Sequence, residues 1–113
     1  MSAQDKSAQI ARIQEQLKAL IAERQRLELE IKEAERIKAE VQGLPPETEV
    51  YKSTGPVLYK TTIQEVLSGL DKYKEELQER VVVYQSQESA LKAEVERIRR
   101  SVVVSSKPET DEA

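Results

Sequence analysis

The sequence contains no cysteine, histidine, phenylalanine or tryptophan. Without cysteine there is no disulfide framework and no thiolate chemistry, which fits a reducing compartment. Without histidine, the side chain that most often moves protons near neutral pH is missing. The only aromatic residues are four tyrosines, so the large anchors of a globular core are nearly absent. The three glycines stand at positions 43, 55 and 69, too scattered for a loop that cradles phosphate. No apolar run approaches the roughly 20 residues of a membrane span. The polar segment Met1 to Gln9 lacks the apolar stretch of a secretory signal. These absences speak against an enzyme, a cofactor, a metal site or a membrane role, and predict a soluble cytoplasmic protein.

What remains is rich in Ala, Glu, Lys, Leu, Arg and Gln, with 35% charged residues in a chain of 113. That is the composition of long helices and coiled coils. The net charge is −3, from 18 basic and 21 acidic residues, so the basic footprint of a nucleic-acid binder is missing. The one basic cluster, Arg97, Arg99 and Arg100, lies among glutamates in a helical stretch and reads as a solvated or dipole-favoured helix end. Adjacent carboxylates such as Glu75 and Glu76, and helically spaced charges such as Glu75, Glu79 and Arg80, read as helix support rather than acid–base chemistry. Carboxylates without a ligand loop give no metal pattern.

Apolar residues recur at alternating steps of three and four. The first seam is Ile10, Ile13, Leu17, Leu20, Arg24, Leu27, Ile31, Ala34, Lys38 and Val41; the second is Leu67, Leu70, Lys74, Leu77, Val81, Tyr84, Glu88, Leu91, Val95, Ile98 and Val102. Both are heptad seams interrupted by charge. A cation in such a seam either fixes register or snorkels to water on its long stem. Near the start of the second helix a competing frame runs through Ile63, Val66, Leu70, Tyr73 and Leu77, so a shift of frame or a wider apolar face is expected there.

Gly43 and Pro45-Pro46 mark the end of the first helix. Thr62 and Glu65 open the second as a capping box, Glu65 reaching back. Gly69 should weaken its first turns by about 1 kcal/mol relative to Ala. The helices are predicted over about 5–42 and 62–102, each about 60 Å long at 1.5 Å per residue. A short connection makes them antiparallel neighbours, giving a rod with both termini at one end. Between them Val50-Tyr51-Lys52-Ser53-Thr54-Gly55-Pro56-Val57-Leu58-Tyr59-Lys60 reads as a β-hairpin over about 49–61, with Gly55 in the turn. An isolated two-stranded hairpin is marginal in water and offers open edges. It either folds back on the stem or joins a sheet built with other subunits, and the second reading is preferred. Val50, Val57 and Leu58, with Tyr51 and Tyr59, need cover this chain does not supply. Lys52 and Lys60 are expected to flank the sheet.

This order of helix, hairpin and helix resembles the β-class subunits of prefoldin over roughly residues 8 to 102. Val50, Tyr51, Lys52, Gly55, Leu58 and Lys60 carry the hairpin motif. Tyr84-Gln85-Ser86-Gln87-Glu88-Ser89-Ala90-Leu91 looks like the second-helix segment. Tyr59, where Val is commoner, and the valine-rich end depart from the pattern. One hairpin rather than two points to the β class. The resemblance implies a prefoldin domain over 1–104 and a mainly α fold: a long antiparallel two-helix coiled coil joined by a central β-hairpin that completes an intersubunit β-barrel. It implies a hexamer of α-class and β-class subunits that binds non-native proteins at its coiled-coil tips. It further implies an ATP-independent holdase that delivers clients to a group II chaperonin.

The candidate tip residues are Ile10, Ile13 and Leu17 with Val95, Ile98, Val102, Val103 and Val104. Three consecutive valines cannot all face one partner helix, and β-branched residues form helix poorly. They are read as client contacts or as the plain end of the coiled coil. The candidate oligomerisation residues are Val50, Tyr51, Gly55, Val57, Leu58 and Tyr59. Residues 105–113, poor in apolar groups, are expected to form a disordered acidic tail. The alternatives are a self-associating coiled-coil scaffold or tether without chaperone activity, and a helical nucleic-acid-binding arm.

Overall fold

The structure is a computed structural model; it describes the backbone of residues 2–112 and the side chains of residues 2–101. The element order is α1 (Ala3–Gln42), β1 (Val50–Thr54), β2 (Val57–Thr61) and α2 (Ile63–Glu112). The backbone of α2 stays helical through Glu112, where the sequence predicts a helix end near 102 and a disordered tail over 105–113. The tail's lack of apolar groups removes a packing force, but it does not forbid a locally bonded helix.

Each helix start has a chemical cause. Ser2 Oγ accepts from Asp5 N–H at 3.1 Å, while Asp5 Oδ2 accepts from Ser2 N–H at 3.3 Å, a reciprocal cap with Asp in the acidic position. At α2, Thr62 Oγ1 accepts from Glu65 N–H at 3.1 Å. Only half of the expected box follows, because the Glu65 carboxylate instead accepts from the Thr61 hydroxyl at 2.6 Å. α1 ends differently from a left-handed glycine cap. Gly43 N–H is shared between the Ala39 and Glu40 carbonyls at 3.2 Å each, and Leu44 N–H bonds Val41. The last turn tightens and Pro45 then stops the helix.

The chain forms two compact units. One combines Met1–Arg24 with Val82–Ala113, the other is Gln25–Val81. In the first, Lys6 Nζ donates to Ser101 Oγ and Arg24 pairs with Glu88. In the second, Tyr73 Oη donates to Glu30 at 3.1 Å, and Lys38 pairs with Asp71 at 2.6 Å. Within each unit the partner on α2 moves back as α1 advances, so the helices run antiparallel.

The heptad seams are the buried faces. Every residue of the α1 seam, and every described residue of the α2 seam, is buried or half-buried. Leu27, Ala34, Leu77 and Val81 form the core of the second unit; Val95, Ile98 and the charged Glu88 are buried in the first. Leu27, fully buried, contributes about 1.5–3 kcal/mol through removal of its side chain from water. The competing frames at the start of α2 resolve as a wider face. Val66 and Leu67 are both half-buried, but Tyr73 is exposed while its neighbour Lys74 is half-buried. Among the described residues no helix is long and apolar enough to cross a membrane.

Candidate functional site

The hairpin ladder pairs Val50 with Thr61, Tyr51 with Lys60, Lys52 with Tyr59, Ser53 with Leu58 and Thr54 with Val57. Its two-residue turn is Gly55-Pro56. Gly55 takes φ 58°, a left-handed value that side chains resist. Proline fixes a negative φ at the next position, giving the sign pattern of a type II′ turn, whose twist suits a hairpin. Pro56 therefore sits in the turn, between the strands, where no ladder donor is needed.

The register decides which side chains share a face, because strand residues alternate. Val50, Lys52, Thr54, Val57, Tyr59 and Thr61 lie on one face, and Tyr51, Ser53, Leu58 and Lys60 on the other. Both faces carry apolar groups, and most are uncovered: Leu58 is 70% exposed, Tyr51 57%, Val57 56% and Tyr59 45%. Val50 is half-buried. Both outer edges of the two-stranded sheet are open, with unpaired backbone groups. Lys60 pairs with Glu49 at 3.2 Å, and Glu49 also accepts from the Tyr51 hydroxyl at 3.2 Å. Lys52 and Lys60 are both exposed on the hairpin.

Beside the hairpin, Lys52, Tyr59, Val66, Gly69, Leu70 and Tyr73 are among the residues lining a cleft of about 500 Å³. A Cβ built on Gly69 would meet nothing within 4 Å, so an alanine would fit at the cleft floor without displacing a neighbour. The Tyr73 phenol is pushed up from its ordinary pKa by its hydrogen bond to the Glu30 carboxylate.

In the first unit the proposed tip residues are not an open patch. Val95 and Ile98 are buried in the seam; Ile10, Ile13 and Leu17 are half-buried. Val102, Val103 and Val104 lie outside the described side chains. A shallow apolar groove of about 580 Å³ lies along this unit between Leu20, Tyr84 and Leu91. The small side chains of Ala19 and Ala90 leave it unfilled. On its surface Arg97 pairs with Glu94, which holds the Glu94 carboxyl below its usual range.

The seam charges behave in two ways. Arg24 meets Glu88 in a bidentate pair, Nε to Oε2 at 2.5 Å and Nη2 to Oε1 at 3.1 Å. Glu88 is 5% exposed, so this pair is inside the seam. Lys38 and Lys74 instead reach the exposed carboxylates of Asp71 and Glu35, at 2.6 and 3.7 Å. Arg24 is thus paired inside the seam, whereas Lys38 and Lys74 carry their charge outward to its edge. No buried side-chain polar atom among the described residues lacks a partner, and no group of acidic residues there is placed to hold a metal ion.

The profile of the prefoldin subunit family matches residues 4–103. The chain belongs to the prefoldin subunit family. Prefoldin subunit beta of Sulfurisphaera tokodaii is 34% identical over 99 residues, covering 88% of this chain and 79% of that protein. Prefoldin subunit beta of Pyrococcus abyssi is 28% identical over 102 residues, covering 90% and 87%. The crystal structure of the prefoldin beta subunit from Thermococcus strain KS-1 superposes with a TM-score of 0.85 at 26% identity, covering 90% of each chain. The beta2 subunit from the same strain shares the fold, with a TM-score of 0.71 at 20% identity over 80% of this chain and 97% of that one. With one hairpin between two long helices, the chain is a β-class prefoldin subunit. The prefoldin family is a chaperone family of non-enzymatic subunits that form multi-subunit assemblies.

Sequence reasoning missed the Arg24–Glu88 pair and the cleft over Gly69. The first left a signal, since each helix has a charge breaking its seam. The second left only an unexplained helical glycine.

Proposed function

We propose that this chain is an ATP-independent holdase subunit that joins α-class subunits and further β-class copies in a cytoplasmic hexamer. Its hairpin supplies one piece of a shared β-barrel. The observation that carries this reading is a hairpin with apolar side chains uncovered on both faces and both edges open. A β-sheet in that condition gains by pairing with another chain. The seam of the first unit supplies the client surface. Parting of the helices presents Ile10, Ile13, Leu17, Val95 and Ile98, extended by Val102, Val103 and Val104, to a non-native polypeptide. Several such weak surfaces on one assembly gain avidity without a strong individual site. The client then passes to a group II chaperonin. Contact with nucleic acid or membrane has no part in this reading.

The test is light scattering of the chain alone and mixed with an α-class prefoldin subunit, followed by an aggregation assay on a denatured protein. A hexamer-sized species appearing only in the mixture, and slower aggregation, is the expected result. An unchanged mass in both samples would instead favour a self-associating scaffold.

A further inference from the structure

We propose that Arg24 and Glu88 are the specificity element of the coiled coil, fixing which turn of α2 lies against which turn of α1 in the first unit. Apolar seams with a strict heptad repeat are permissive, because a shift by seven residues sets apolar groups against apolar groups again. The charged pair removes that freedom. With α2 moved one heptad in one direction, Glu88 would lie against Leu17; in the other direction, Arg24 would lie against Val95. Each arrangement takes the buried Glu88 carboxylate away from Arg24 and sets it among apolar seam residues, which is strongly unfavourable. Only the observed register lets both oxygens of the Glu88 carboxylate accept from Arg24. The planar guanidinium meets the carboxylate here through its Nε/Nη2 fork, a directional contact that apolar packing does not supply.

The same pair discriminates between partners. Two α1 helices side by side in parallel would bring Arg24 against its own copy. Two α2 helices would bring Glu88 against its own copy. Repulsion of buried like charges selects α1 with α2 over either self-pairing. Lys38 and Lys74 cannot do this work, since their carboxylate partners Asp71 and Glu35 are 55% and 52% exposed and an exposed ion pair contributes little.

The chain has no cysteine, so two introduced cysteines carry spin labels cleanly. Exposed Ala11 and Ser86 lie about 15 residues apart along the axis when Arg24 faces Glu88, about 22 Å at 1.5 Å per residue. Full-length labelled chain is diluted in unlabelled chain, so that only distances within one molecule are read. The parent chain is expected to give one distance. Arg24→Leu with Glu88→Leu is expected to stay helical by circular dichroism and to show a second population displaced by about 10 Å, one heptad. A leucine variant with a single, unmoved distance would overturn the proposal. Should that variant precipitate, Glu88→Leu with Val95→Glu decides alone, because it moves the acid one heptad along α2. The distance is then expected to lengthen by about 10 Å; an unmoved distance would show that the apolar seam and the connection set the register without the pair.

Discussion

Replacing both Val57 and Leu58 with aspartate separates folding of the chain from its assembly. In the free chain both side chains are mostly in water, Val57 at 56% and Leu58 at 70% exposure. Polar replacement there should change stability by no more than about 0.5 kcal/mol. In the proposed β-barrel the same surface would be covered. At about 2 kcal/mol for full burial of such a side chain, covering the exposed fractions is worth about 1.1 and 1.4 kcal/mol, or about 2.5 kcal/mol per hairpin. Loss of that term alone weakens each contact roughly 60-fold, before the cost of placing two carboxylates in an apolar interface. The assay is light scattering with an α-class subunit over a dilution series, with circular dichroism on the same samples. Unchanged helicity and melting, with the large species lost at concentrations that assemble the parent chain, is expected. A double variant that assembles at parent concentrations would refute the barrel role of the hairpin. Because the ladder sends Val57 and Leu58 to opposite faces, the two single variants report how much cover the assembly gives each face.

Leu27→Ala should cost about 2–5 kcal/mol in chemical denaturation, as a fully buried seam residue, whereas Leu29→Ala, two positions away and exposed, should stay within about 0.5 kcal/mol; equal effects would refute the seam. Gly69→Ala meets open space and should stabilise the isolated chain by about 1 kcal/mol, read as a higher denaturant midpoint; a lower midpoint would mean the helix needs the glycine. The Tyr73 phenol is raised by its hydrogen bond to Glu30, so its stabilising contribution is complete below the ordinary phenol pKa of about 10 and is lost as pH rises through the higher folded value. Ultraviolet titration should show a late-ionising component that Tyr73→Phe removes; a late component unchanged by that substitution would contradict it. Removal of residues 102–113 should leave the assembled mass unchanged and weaken suppression of aggregation; full protection by the shortened chain would take the valine segment out of client binding.

Much of the fold was legible because heptad spacing is a local signal. The seam residues from Ile10 to Val41 and from Leu67 to Ile98 could be counted off the chain, and burial follows them. The hairpin was legible for a similar reason, since Gly55-Pro56 between β-branched and aromatic residues leaves few other conformations. What the sequence withheld was whatever depends on offset. Arg24 and Glu88 were visible as two breaks in two seams, yet heptad counting fixes only the face of each residue and leaves the axial offset of one helix against the other open. The same limit hid the roles of Lys38 and Lys74. They occupy seam positions of the same kind as Arg24, but their carboxylates, Asp71 and Glu35, stand at the edge of the interface, and the long lysine stem carries the charge out to them. All three cations meet an acid across the seam, so burial of that acid, near complete for Glu88 and slight for Asp71 and Glu35, is what sets Arg24 apart. Val57 and Leu58 teach the corresponding lesson for the hairpin: as neighbours in one apolar run they looked like a single packing surface, and only the pairing of Val57 with Thr54 and of Leu58 with Ser53 divides them between two faces. An assembly that covers the hairpin must accordingly cover it from both sides, which one added strand at an open edge cannot do.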